Sequence, residues 1–165
     1  MSTPVGQPLW HQLLQNPAGG PAGFDLAMLI LRVGFGGLLA FGHGLPKLLN
    51  YSTIVSSENG FPDPLGIGVE NSLRGAIACE VVFGLFVMVG VFTRLSTIPV
   101  IFNMCVAAFV VHAAHPWLMP RDPGPSKEPA ILYLIPFVAI LFAGAGRFSV
   151  DGCIQPPNPS TSAKP

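Results

Sequence analysis

Four stretches of this chain run almost without charge, at residues 26–45, 75–92, 95–114 and 129–146. A helix needs roughly 17–25 apolar residues to cross a bilayer, and each stretch meets that length. Inside lipid no water satisfies a backbone N–H or C=O, so each stretch must be a helix. The fold class that follows is all-α, an integral membrane four-helix bundle. Composition points the same way: 10% of the residues are charged, where a soluble protein carries about 25%. Eight basic and eight acidic residues cancel. That leaves no basic footprint for nucleic acid, and the first partner implied is the lipid bilayer.

Three parts are expected: an N-terminal segment at 1–24, a transmembrane domain at 25–151, and a disordered Pro/Ser-rich tail at 152–165. The first segment has no Lys or Arg and so lacks the basic start of a signal peptide. Asp25 is placed to cap the first helix. Thr93-Arg94 is nearly the whole link between the second and third stretches, which predicts a tight antiparallel hairpin and both termini on one face. The links at 50–72 and 115–128 hold FPDP and PRDPGP and read as irregular. Trp10, Tyr51 and Trp117 fall near span ends, as an aromatic belt places them. Arg94, Arg147 and Lys164 on one side against Lys47, Arg74, Arg121 and Lys127 on the other leave the orientation undecided by charge. Cys79, Cys105 and Cys153 form no CxxC pair and read as small hydrophobes, with neither a disulfide framework nor a zinc site implied.

Ionisable groups inside a span are costly, so each is a functional candidate. Arg32 and His43 are eleven residues apart, three α-helical turns, which places them on one face with Gly36 and Lys47. Gly36, Ala40 and Gly44 repeat every four residues and invite close approach by a neighbouring helix. Laying the spans antiparallel puts His43, Glu80, His112 and Tyr133 in one layer about 9 Å thick. The same alignment puts Arg32 and Asn103 at a common level in the other half. Two readings of the layer carry equal weight. In one, Glu80 pairs with His43 or His112 and only holds helices together. In the other, Glu80 handles protons while the histidines and Tyr133 hydrogen-bond a head group such as a quinone. Haem between His43 and His112 is disfavoured without a CxxCH motif. His112-Ala-Ala-His115 is too weak a pattern to assign a metal. Gly34, Gly36 and Gly37 follow no strand and fail the dinucleotide fingerprint. No intrinsic cofactor is therefore expected, and the chain is not expected to transfer electrons alone.

Several segments carry a family resemblance: LILRVGFGGLLAFGHGLPKLL at 29–49, ACEVVFGLFVMVGVFTRLS around Glu80 and Arg94, VVHAAHPW around His112, and GAGRFSVD at 144–151. Together they resemble the DoxX family of small bacterial and archaeal membrane proteins. The resemblance implies a multi-pass plasma-membrane protein of four helices with both termini cytoplasmic. Some relatives are subunits of quinol oxidase or thiosulfate:quinone oxidoreductase, or scaffolds of membrane oxidoreductase complexes. It carries no established catalytic residue onto Arg32, His43, Glu80 or His112. The function expected is an accessory or scaffold subunit of a quinone-linked oxidoreductase complex, working with a soluble or membrane redox partner. The alternatives are a transporter or channel for a small solute or proton, disfavoured by the lack of internal repeats, and a purely structural anchor.

Overall fold

A computed structural model describes residues 20–154, apart from 59 and 123. Its described residues are helical with no strand. The first helix runs Gly20–Gly37, passes through a π-helical segment at Leu38–Gly44, and finishes as Leu45–Leu49. The second runs Val69–Ile77, then a π segment Ala78–Phe83, then Gly84–Val89. The third is Thr93–Val106 followed by a π segment Ala107–Val111. The fourth is Glu128–Ala143, and two short helices, Tyr51–Ser56 and Val150–Ile154, flank the bundle.

Three helices, Gly23–Leu49, Val69–Val89 and Thr93–Val111, are long and apolar enough to cross a membrane. The fourth has 16 residues, about 24 Å of rise against a hydrocarbon core of roughly 30 Å. It is apolar throughout and buries Phe137 and Ile140 completely. The protein is thus an all-helical membrane protein, with the fourth helix shorter than the other three. Its core is one cluster that includes Met28, Leu39, Val87, Val100, Met104 and Phe137. Large apolar side chains such as Ile30, Phe41, Phe102 and Phe142 point outward, as lipid rather than water allows.

The small-residue stripe on the first helix is a backbone contact surface. A Cβ added at Gly36 would lie 2.8 Å from the Gly84 carbonyl oxygen, and one at Gly44 would lie 2.9 Å from Glu80 Cβ. The first and second helices therefore meet almost backbone to backbone along Gly36, Ala40 and Gly44.

The structure corrects three expectations at the helix ends. The turn between the second and third helices falls at Gly90–Val91–Phe92, and Thr93 already opens the third helix. Gly90 and Phe92 both take positive φ, 79° and 44°. The reason lies far along the chain: the Asp151 carboxylate accepts from the Phe92 and Thr93 N–H groups at 2.8 Å each, so Thr93-Arg94 forms a capped first turn. Asp25 does not cap the first helix, which begins before it at Gly20; its Oδ1 accepts from the Arg147 N–H at 2.8 Å. The expected tail does not begin at 152, because Val150–Ile154 is helical and is tied back by Asp151 N donating to Gly90 O at 2.9 Å. Trp10, Lys164 and the remainder of the expected tail lie outside the described residues. The Asp25–Arg147 bond also brings the entry to the first helix and the exit from the fourth to one end of the bundle.

Candidate functional site

Glu80 sits in the π segment of the second helix and is 4% exposed. Its carboxylate accepts from Lys47 Nζ at 2.6 Å on Oε1 and 2.5 Å on Oε2, and from Asn103 Nδ2 at 3.2 Å. The local sequence explains the pairing. Gly44 lets the first helix close on the Glu80 backbone, and Lys47 lies about one turn further on, so its ammonium reaches back over the carboxylate. Three helices thus converge on one buried charge pair.

Two expectations about partners are corrected here. Glu80 faces inward, but its partners are Lys47 and Asn103, not His43 or His112. Asn103 does not share a level with Arg32. Counted from the turn at Gly90, Asn103 and Glu80 are both about 14–15 Å along their helices, and so they meet. Arg32 and His43 do not share a face either, since Arg32 is 1% exposed while His43 is exposed. The π segment at Leu38–Gly44 widens the turn between them, and the three-turn phase that α geometry implies is lost.

Arg32 serves the other end of the bundle. Its guanidinium donates to the Val87 and Met88 carbonyls at 3.5 and 3.4 Å, and to the Phe148 carbonyl. These are last-turn oxygens of the second helix, where the Val87 carbonyl also accepts from the Gly90 N–H at 3.2 Å, and a carbonyl of the segment after the fourth. Arg32 is a structural pin.

The remaining expected residues do come together. His43, Glu80, His112 and Tyr133 line one cavity of about 160 Å³, with Lys47 and Ser126. The His43 ring stands edge-on to Tyr133 at 5.1 Å between centroids. His112 Nδ1 lies 3.1 Å from His115 Nδ1, so the two rings hydrogen-bond to each other. On the other side of the charge pair lies a larger cavity of about 320 Å³. Its walls are mostly apolar, with Phe61, Leu65, Ile67, Phe102 and Val106 among them, while Lys47, Glu80, Asn103 and His112 form a polar edge. Lys47, Glu80 and His112 therefore border both cavities.

The loop over the larger cavity is fixed by Asp63. Its carboxylate accepts from the Ile67 N–H at 3.1 Å, the Gly68 N–H at 2.8 Å and Ser72 Oγ at 2.7 Å. The Ser72 hydroxyl and these amides hold the Asp63 carboxyl below its ordinary range. Cys79 lines the same cavity as a free thiol, and Cys105 and Cys153 are also free.

Sequence reasoning left three contributors out of the site or its frame. Lys47 was visible on the first helix one turn past His43, but its reach to Glu80 depends on the Gly44 contact. Ser126 is buried although it lies in a polar link. Asp151 closes GAGRFSVD, and its role as a distant helix cap had no local signal.

A family model described as DoxX matches residues 27–113, more than half of the chain. The chain belongs to the DoxX family. A second model, described as TQO small subunit DoxD, matches residues 75–162. The DoxX match spans Lys47, Glu80, Asn103 and His112, and the DoxD match adds Tyr133 and Asp151. An uncharacterized protein of Haemophilus influenzae is 28% identical over 141 residues, covering 85% of this chain and 91% of that relative. No solved structure matches this DoxX-family chain.

Proposed function

We propose that this protein is an accessory subunit of a quinone-linked oxidoreductase complex in the plasma membrane, with both chain ends cytoplasmic. In this reading the larger cavity receives a quinone head group, and electrons come from a redox partner protein. The observation that carries it is a buried, fully paired carboxylate at the polar edge of a mostly apolar cavity of about 320 Å³, a size and lining suited to a small amphipathic ligand. The DoxD description as a TQO small subunit supports the quinone-linked setting.

The chain's own groups would act through position and charge. Lys47 Nζ and Asn103 Nδ2 are donors that a ring oxygen can share with Glu80. Glu80 and Lys47 together offer one exchangeable proton at the cavity edge. Phe102, Leu65 and Ile67 exclude water from the ring. Reduction of a quinone takes up two electrons, from the partner, and two protons, so the Lys47–Glu80 pair would pass one proton, be reprotonated from water, and pass the second. The side chains supply no electrons, so they serve binding and proton delivery only.

The test is the lipid extract of protein purified in mild detergent together with its captured partners. Quinone should be enriched in wild type and reduced in Glu80→Gln and in Phe102→Ala, with the bundle still folded by circular dichroism. A folded wild-type protein whose extract holds no more quinone than the surrounding membrane overturns the reading.

A further inference from the structure

The smaller cavity carries a second site, independent of the quinone reading. One wall is the start of the fourth helix: Pro129 and Ala130 line the cavity and belong to the first turn of a 16-residue helix that no side chain caps. Pro129 has no N–H, so the donor this turn offers the cavity is the Ala130 N–H, which has no helical acceptor, and the helix end carries partial positive charge. Ser126, just before that turn, supplies the independent observation. It is 4% exposed, it lines the cavity, and its Oγ has no hydrogen-bond partner among the described residues. A buried hydroxyl without a partner is costly, so a polar ligand that fills the cavity gains that bond.

The formal charges around this space cancel, which leaves the helix end to favour an anion. Lys47 offsets Glu80 on one side. The acid at the helix start, Glu128, does not line the cavity, and its carboxylate accepts from the Met119 N–H at 2.6 Å. His43, His112 and Tyr133 add ring and hydroxyl donors. The opposite wall, formed by Leu39, Met104 and Ala107, is apolar. An inorganic oxyanion would leave oxygens facing that wall unsolvated, and a neutral amide would gain little from the helix end.

We propose that this cavity binds a small monocarboxylate. Its carboxylate lies against Ser126 Oγ and the first turn of the fourth helix, and its short apolar end lies against Leu39, Met104 and Ala107. The helix end and Ser126 are the recognition elements.

The test titrates full-length protein in lipid nanodiscs with propionate by calorimetry, with propionamide and sulfate in parallel. Saturable propionate binding is expected, with propionamide and sulfate each at least tenfold weaker, the scale of one charge-assisted hydrogen bond. Ser126→Ala should lower propionate affinity by about tenfold. Its unfolding temperature without ligand should not fall, because the hydroxyl removed makes no bond within the protein. The rise in unfolding temperature that propionate gives wild type should be lost in the same variant. The proposal is overturned if propionate does not bind at millimolar concentration, if propionamide or sulfate binds as well, or if Ser126→Ala keeps full affinity. None of these outcomes bears on quinone content, so the two readings stand or fall separately.

Discussion

Lys47 Nζ lies 2.6 Å and 2.5 Å from the two carboxylate oxygens of Glu80, and this pair ties the end of the first helix to the middle of the second. Glu80 is 4% exposed, so the ammonium is the group that makes its charge tolerable there.

Removing one member of the pair should cost more than removing both. Lys47→Met leaves a buried carboxylate with only Asn103 beside it, and a loss of about 2–4 kcal/mol is expected. Glu80→Gln keeps the shape but only one of the two acceptors that Lys47 uses, and should lose less because the partly exposed ammonium can turn to water. The double variant Lys47→Met/Glu80→Leu should recover most of the single loss. Reversible unfolding in detergent, read as a double-mutant cycle, checks the order.

The glycine contact between the first two helices gives a graded series. Gly36→Ala places a Cβ 2.8 Å from a backbone oxygen, which cannot move without shifting the second helix; a loss of about 1–3 kcal/mol is expected. Gly34→Ala meets nothing within 4 Å and should be neutral or stabilise by about 0.5–1 kcal/mol through helix propensity. Unfolding midpoints of the two variants in one detergent suffice. Equal effects would show that the two helices do not pack as described.

Asp151 provides a pH signature. Burial pushes its carboxyl upward, but the Thr93 and Phe92 hydrogen bonds and the Arg32 charge outweigh that and hold it below the ordinary value of 3.8. A folded value below the unfolded one means the stabilisation is fully present above about pH 4 and is lost as pH falls through the folded value. Unfolding temperature should therefore drop on acidification below pH 4. Asp151→Asn should show a shallower drop and, at neutral pH, a loss of about 0.5–2 kcal/mol from the weakened cap.

Arg32→Lys should behave as a strong lesion despite keeping the charge. A single ammonium cannot reproduce a planar guanidinium that meets carbonyls of both the second helix and the Phe148 segment. A loss of about 2 kcal/mol or more is expected. Protease sensitivity after Ala143 is a local readout of the same change.

How much of this could be read from the chain depended on the range of the interaction. The membrane class, the all-helical fold and the Gly36–Ala40–Gly44 contact follow from local apolarity and a period of four, and the structure shows all three. Glu80 turns inward because charge avoids lipid wherever the neighbours lie. Its partners were another matter. The face shared by Arg32 and His43 assumes α-helical phase, and the π segment at Leu38–Gly44 breaks that phase without any residue that signals it. Asp151 capping Thr93 joins residues 58 apart in sequence, a pairing that periodicity cannot reveal. The cavity residues His43, Glu80, His112 and Tyr133 were grouped by depth alone, and they do border one cavity. Lys47, which decides the electrostatics, is legible as part of the stripe with His43, but its reach to Glu80 depends on the close approach at Gly44.

The three π segments lie at one depth: His43, Glu80 and Ala107, one from each, border the same cavity. A π turn has wider spacing and weaker backbone bonding than the α turns above and below it. Three of the four helices are therefore softest at this level, while the fourth runs as uninterrupted α-helix, and Glu80 sits within the soft segment of its own helix. Work done on Glu80 by a ligand, a proton or a partner is thus delivered where its own helix resists torsion least.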